Sequence, residues 1–239
     1  MKKLFWGLFL ILCFVITLPA GWWILAKGDF AYAYLHDQAG IDEHIAQYAP
    51  KNIYRHDFEN TSKEKRVALF RGIVSSIQHK GKGLEALSYL DNKGRTNTLL
   101  LEEEITHLKD VAKLLEKGSL LIGLCALIWL FIVFFLRFKQ LKPPPLKQQL
   151  VNFFVILAFI TLGVFVVGLD SVFNQLHIWA FPENHQWFFY YEESLMSTMM
   201  KAPDLFAYIG LMWFIVSMLL TIALYALLRR VLPEGKQLV

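Results

Sequence analysis

Charge and cysteine are scarce in this 239-residue chain, and each scarcity excludes a class of protein. Charged residues make up 18% of it and hydrophobic ones 56%, whereas a soluble domain carries about a quarter charged residues. The two cysteines, Cys13 and Cys125, both fall inside apolar runs. A thiol there acts as a small apolar filler, and the pair supplies no disulfide framework. G-x-S-x-G, a Walker loop, C-x-x-C and H-E-x-x-H are all missing, and no convincing internal repeat is found. Nothing therefore points to a serine elbow, a bound nucleotide, a redox dithiol or a zinc protease.

What is present is long apolar sequence. Four runs, 4–26, 119–136, 150–169 and 205–228, contain no Asp, Glu, Lys, Arg or His. Each is long enough, at about 20 helical residues, to cross a hydrocarbon core. Without an ionisable group inside them there is no ion pair or proton relay, which argues against an ion pump or channel. The expected fold is an all-α polytopic membrane protein with four transmembrane helices and a mainly helical extracytoplasmic domain holding a short β-hairpin.

Orientation follows from the basic residues. With the N-terminus inside, Lys2, Lys3, Arg137, Lys139, Lys142, Lys147, Arg229, Arg230 and Lys236 are cytoplasmic, opposed there only by Glu234. The outer loop 170–204 has Lys201 against Asp170, Glu183, Glu192, Glu193 and Asp204. This is the positive-inside pattern, and it explains the net charge of +4 without a nucleic-acid partner. The expected order is span 1 in 1–26, an extracytoplasmic domain in 27–118, spans 2 and 3 with a cytoplasmic hairpin in 119–169, an outer loop in 170–204, and span 4 with a cytoplasmic tail in 205–239. The first span reads as an uncleaved anchor: its apolar stretch is too long for a signal core, and Leu18 occupies a position where cleavage wants a small residue. Pro19 is expected to kink it.

In the outer domain, Thr61 and Glu64 form a capping box ahead of KRVALFRGIVSSIQ, and KGKG at 80–83 ends that helix. ALSYL, DNKG and RTNTLLL suggest a hairpin. A second helix, LLLEEEITHLKDVAKLLEKG, runs to Gly118 with an apolar stripe of Leu101, Ile105, Leu108, Ala112 and Leu115. His107 lies off that stripe, one turn from Glu103 and from Asp110. Both carboxylates can reach its ring at those spacings, and two anions would raise its pKa. The plainer reading is a solvated histidine among charges.

The stretch LHIWAFPENHQWFFYY, 176–191, places seven aromatic residues and two histidines after the third run. His177 falls at the predicted span exit, where a polar tip in an aromatic belt is common. His36, His44, His56, His79 and His185 read as surface residues. His107, Asp110 and His177 are a poor match to a metal site, and neither a metal nor a cofactor is expected.

Two stretches resemble the Lit family, the bacterial lipoprotein intramolecular transacylases: EITHLKDV at 104–111 before the second span and HIWAFPENHQW at 177–187 after the third. The likeness extends over nearly the whole chain. Family features map to Glu104, His107 and Asp110, to His177, Phe181, Asn184 and Trp187, and on to Leu195, Pro203 and Phe206. Leu176 stands where the family usually has Phe, and an aromatic and acidic run through Glu193 replaces an Asp-Pro pair. The resemblance implies a multi-pass enzyme of the bacterial cytoplasmic membrane, its active site on the extracytoplasmic side and its substrate a diacylglyceryl-modified lipoprotein within membrane lipid. The sn-2 acyl chain of the lipidated cysteine moves to that cysteine's α-amino group, leaving the lyso form.

Nucleophile and ester then belong to one molecule, so proximity supplies much of the acceleration and no acyl-enzyme is needed. A base and an acid or oxyanion donor are needed. His107 is the expected base and His177 the expected acid, with the roles open to reversal. Glu103, Glu104 and Asp110 support them, and Phe181, Asn184 and Trp187 contact substrate. Two other classes stay open: an acyltransferase or hydrolase acting on phospholipid, and a non-enzymatic membrane protein whose outer domain binds a partner.

Overall fold

The computed structural model of the chain describes residues 2–232. Helices dominate it: α1 (Lys2–Lys27), α2 (Tyr32–Gln38), α3 (Ile41–Tyr48), α4 (Lys63–Gln78), α5 (Glu102–Phe138), α6 (Leu146–Val167), α7 (Leu169–Ala180), α8 (Leu195–Met200) and α9 (Asp204–Val231). Strands β1 (Ser88–Leu90) and β2 (Thr96–Thr98) pair antiparallel, Tyr89 opposite Asn97. The fold is all-α and polytopic, as the apolar runs require. Four helices, α1, α5, α6 and α9, are long and apolar enough to cross a membrane.

The chain divides into two compact units. The first holds residues up to 23, 117–176 and from 213 onward. Its core contains Trp6, Phe9, Leu10, Cys13, Leu136, Phe153, Met218 and Tyr225. Helices α1 and α9 are joined by polar contacts that lipid could not supply. The Thr17 hydroxyl lies 2.9 Å from that of Thr221, and Trp213 Nε1 donates to the Leu18 carbonyl at 2.8 Å. Such bonds hold helices together where burial alone offers no advantage over lipid. Helix α1 continues through Pro19. The outward faces of α5 and α6 remain apolar, with Phe131, Phe134, Phe159 and Phe165 exposed.

The second unit holds 24–116 and 177–212. Tyr32 stacks on Phe70 at 4.2 Å between ring centroids and donates from its hydroxyl to the Met199 carbonyl at 2.8 Å. All six residues of α8 are buried. Fully burying a Leu or Met side chain contributes about 1.5–3 kcal/mol, so this short helix fastens the later segment to the earlier one. The hairpin turn is built by Asp91, whose Oδ1 accepts from the backbone N–H groups of Lys93 and Arg95.

Several expectations are corrected here. Ser62, not Thr61, caps α4: its hydroxyl accepts from Lys65 N, while Thr61 donates to the Phe58 carbonyl and accepts from Arg66. The second outer helix and the second span are one uninterrupted helix, α5, because a lone glycine at 118 costs only about 1 kcal/mol of helix propensity. The third run stops at Gly168, whose φ of 92° suits a residue without Cβ. The expected loop therefore begins as helix α7. His36 and His44 are buried rather than on the surface. His36 joins a network in which Arg66 pairs with Asp42 and donates to the Glu59 carbonyl, and His44 packs against Tyr48 and Tyr191.

Candidate active site

The second unit contains every residue singled out for chemistry. His107 projects from the charged first part of α5, more than two turns before the apolar run 119–136 that forms the spanning portion. His177 occupies the last turn of α7. Pro182 follows soon after the helix, as suits a residue that cannot continue one. The chain then turns back, with His185 N donating to the Pro182 carbonyl at 3.0 Å.

Phe181 brings the two imidazoles together. Its ring centroid lies 4.9 Å from that of His107 and 5.5 Å from that of His177. Trp187 stacks on His177 at 4.6 Å, and Phe189 flanks His107 at 5.9 Å. The two histidines, 70 positions apart in sequence, thus share one aromatic cluster.

This packing reverses one electrostatic expectation. His107 is pushed down to about 4, chiefly because burial disfavours its cation, with nearby His177 adding to the effect and Asp110 opposing it. The flanking carboxylates bring no net rise. Glu103 is exposed, and of the two it is Asp110 whose charge opposes the fall. Asp110 is engaged elsewhere: its carboxylate accepts from His185 Nδ1 and from Lys113 Nζ, the latter at 2.9 Å. Burial alone would raise Asp110, but these two bonds outweigh it and hold the carboxyl below its usual range.

A titration follows. Unfolded His107 should protonate near about 6.5, and the folded chain only near 4. The unfolded state binds more protons between those values, so this contribution to stability is present above the window and is lost as pH falls through it. Carbon-labelled histidine followed by NMR in micelles should give His107 a midpoint near 4. A midpoint at or above the ordinary histidine value would mean that a carboxylate governs it after all.

Glu104 is fully buried and connects two helix starts. One carboxylate oxygen accepts from Leu101 N, the residue ahead of α5, in the manner of a capping-box glutamate. The other accepts from the Ser194 hydroxyl, which itself caps α8 by accepting from Ser197 N at 2.8 Å. Burial holds this carboxyl above its usual range. Asn184 is exposed in the turn. Sequence reasoning missed three partners: His185, Ser194 and Phe189. The signal for His185 was its place in the aromatic stretch, eight residues after His177.

A family model for the lipoprotein intramolecular transacylase Lit matches residues 4–206, from the first span into the last. The chain belongs to the Lit family. No curated protein and no solved structure matches it. As a Lit member it is an acyltransferase, a membrane protein of bacteria whose family acts on lipoproteins.

In this Lit chain the two imidazoles meet on one aromatic cluster, through Phe181.

Proposed function

We propose that His107 and His177 carry out the proton transfers of an O-to-N acyl shift within a diacylglyceryl lipoprotein, at the outer membrane–water interface. The observation that carries this reading is the contact of both rings with Phe181. The cysteine's α-amino nitrogen attacks the sn-2 ester carbonyl; a C–N bond forms and the C–O bond to glycerol breaks. His107, unprotonated at neutral pH, takes the proton that the nitrogen sheds once it has attacked. A ring N–H of His177 protonates the departing glyceryl oxygen, and proton exchange between the rings restores both. The net change is ester plus amine to amide plus alcohol, with the proton passing from nitrogen to oxygen.

Amide formation needs the substrate amine neutral, and its unperturbed pKa is about 8. Phe181, Trp187 and Phe189 surround the imidazoles with apolar surface fit for acyl chain and glyceryl carbon. Trp179, Phe188 and Tyr190 are exposed on the same segment. Aromatic rings favour headgroup depth, so these outward rings would rest there while the inward set covers the ester. The aromatic stretch is thus a lid on the site. Asn184, in the turn between the two sets, is the residue offered to the polar headgroup.

Mass spectrometry of lipoprotein N-termini after co-expression tests the reaction. An N-acyl lyso product is expected; acyl transfer or release from phospholipid, with the lipoproteins unchanged, would move the same histidines to a different substrate. Topology is tested separately. Reporter fusions at Lys93 and Glu192 should signal the extracytoplasmic side and one at Pro144 the cytoplasm, as the basic residues require. A cytoplasmic signal at Glu192 would place the site on the wrong face for mature lipoprotein.

A further inference from the structure

Asp110 and His185 form a pair that the acyl shift as described does not use. Asp110 is buried, and a buried carboxylate must be compensated by donors. It has one from each side: Lys113, on its own helix and well exposed, and His185, from the segment after α7 and only 28% exposed. Asp110 lies one helical turn beyond His107 on α5, so the two project from neighbouring positions on one side of the helix. His185 lies four residues after Phe181 and two before Trp187, the rings that contact the imidazoles. The main-chain bonds of the turn, from Phe181 N to His177 O and from His185 N to Pro182 O, are local. They shape the turn without tying it to α5. The His185 side chain does tie it there.

We propose that His185 is a positioning residue: through Asp110 it clamps residues 181–189 to helix α5 and so holds Phe181 and Trp187 around the two imidazoles. This rests on the two-histidine reading for its catalytic consequence, but the clamp itself does not depend on it. A charge-assisted bond to a buried acceptor is strong and directional, and it adds a fixed direction to the non-directional packing of Phe181 and Phe189 against His107. Lys113 keeps Asp110 compensated when His185 is changed, so a variant at 185 loses the clamp without orphaning the carboxylate. Misplacing positioning groups by about 1 Å lowers rates by about 10²-fold, which sets the scale of the expected effect.

His185→Phe keeps the ring and removes the donor; His185→Asn puts an N–H close to where Nδ1 stands. Both are to be compared with the unaltered full-length protein in micelles, reading lyso product from a diacylglyceryl lipopeptide and hydrogen exchange of peptides covering 181–189. His185→Phe should lower kcat by about 10- to 100-fold and speed exchange in that segment. His185→Asn should keep most of the activity and the slow exchange. Unchanged exchange in His185→Phe would overturn the clamp. Slow exchange with lost activity in His185→Asn would overturn a positioning role in favour of direct proton transfer. If the unaltered chain makes no lyso product, the two-histidine reading fails, and the exchange comparison still decides the clamp.

Discussion

Replacing His107 or His177 with alanine is expected to lower conversion of diacylglyceryl lipoprotein to the lyso form by about 10²–10⁴-fold, the usual contribution of a positioned proton-transfer group. The double variant should be little worse than either single one, because groups that act as a unit lose their joint effect with the first deletion. Both rings contact Phe181, so removing either leaves its partner without the second half of the proton exchange. The thiols should behave differently. Cys13 is buried in the membrane unit, where it accepts from Trp129 Nε1 at 3.2 Å, and Cys125 lies within the second apolar run. Cys13→Ser, which keeps an acceptor for Trp129, and Cys125→Ala should leave conversion near that of the unaltered chain. Intact-mass analysis of a model lipoprotein's N-terminal peptide reads all five variants. Full lyso product from the double histidine variant would sink the mechanism. A lasting acyl group on any residue of the enzyme would sink direct intramolecular transfer.

The second large effect is structural and belongs to Glu104. Truncation to alanine leaves the buried Ser194 hydroxyl and the partly buried Leu101 N–H without their acceptor. A buried group left so costs about 1–3 kcal/mol and a partly buried one less, so Glu104→Ala should lose about 2–4 kcal/mol of unfolding free energy in mixed micelles. Activity should fall with it, since Ser194 begins the buried helix α8 that anchors the far end of the aromatic segment. Glu104→Gln keeps an acceptor oxygen and should cost much less. The pH dependence has a definite sign. Burial holds the Glu104 carboxyl above its usual range, so the unfolded chain gives up this proton first as pH rises. Its contribution is therefore complete below the ordinary carboxylate range and declines as pH climbs through the raised value. Glu104→Gln should remove that decline. Equal stability for Glu104→Ala and the unaltered chain would mean that the carboxyl anchors nothing.

Much of the architecture was legible because it rests on local or one-dimensional patterns. Four runs free of ionisable side chains had to become four membrane-length helices, since burying a backbone in hydrocarbon leaves few other ways to satisfy its hydrogen bonds. The hairpin was legible in DNKG, whose aspartate bonds its own turn. The histidine pair was legible through the family's two motifs, and the electrostatics around it were not. Helical spacing says which residues are within reach of His107, but Asp110 had a choice of histidine, and the one it bonds is 75 residues away. Glu104 finds Ser194 across 90 residues for the same reason.

Sequence alone therefore determined the membrane class, the helical character and the family of this chain, because hydropathy and motif are properties of consecutive residues. Tertiary structure decided which carboxylate meets which histidine and the direction in which His107 titrates. Burial by Phe181 and Phe189 outweighs a nearby anion whose charge is already spent on His185 and Lys113, and that balance exists only once the distant segments have packed together.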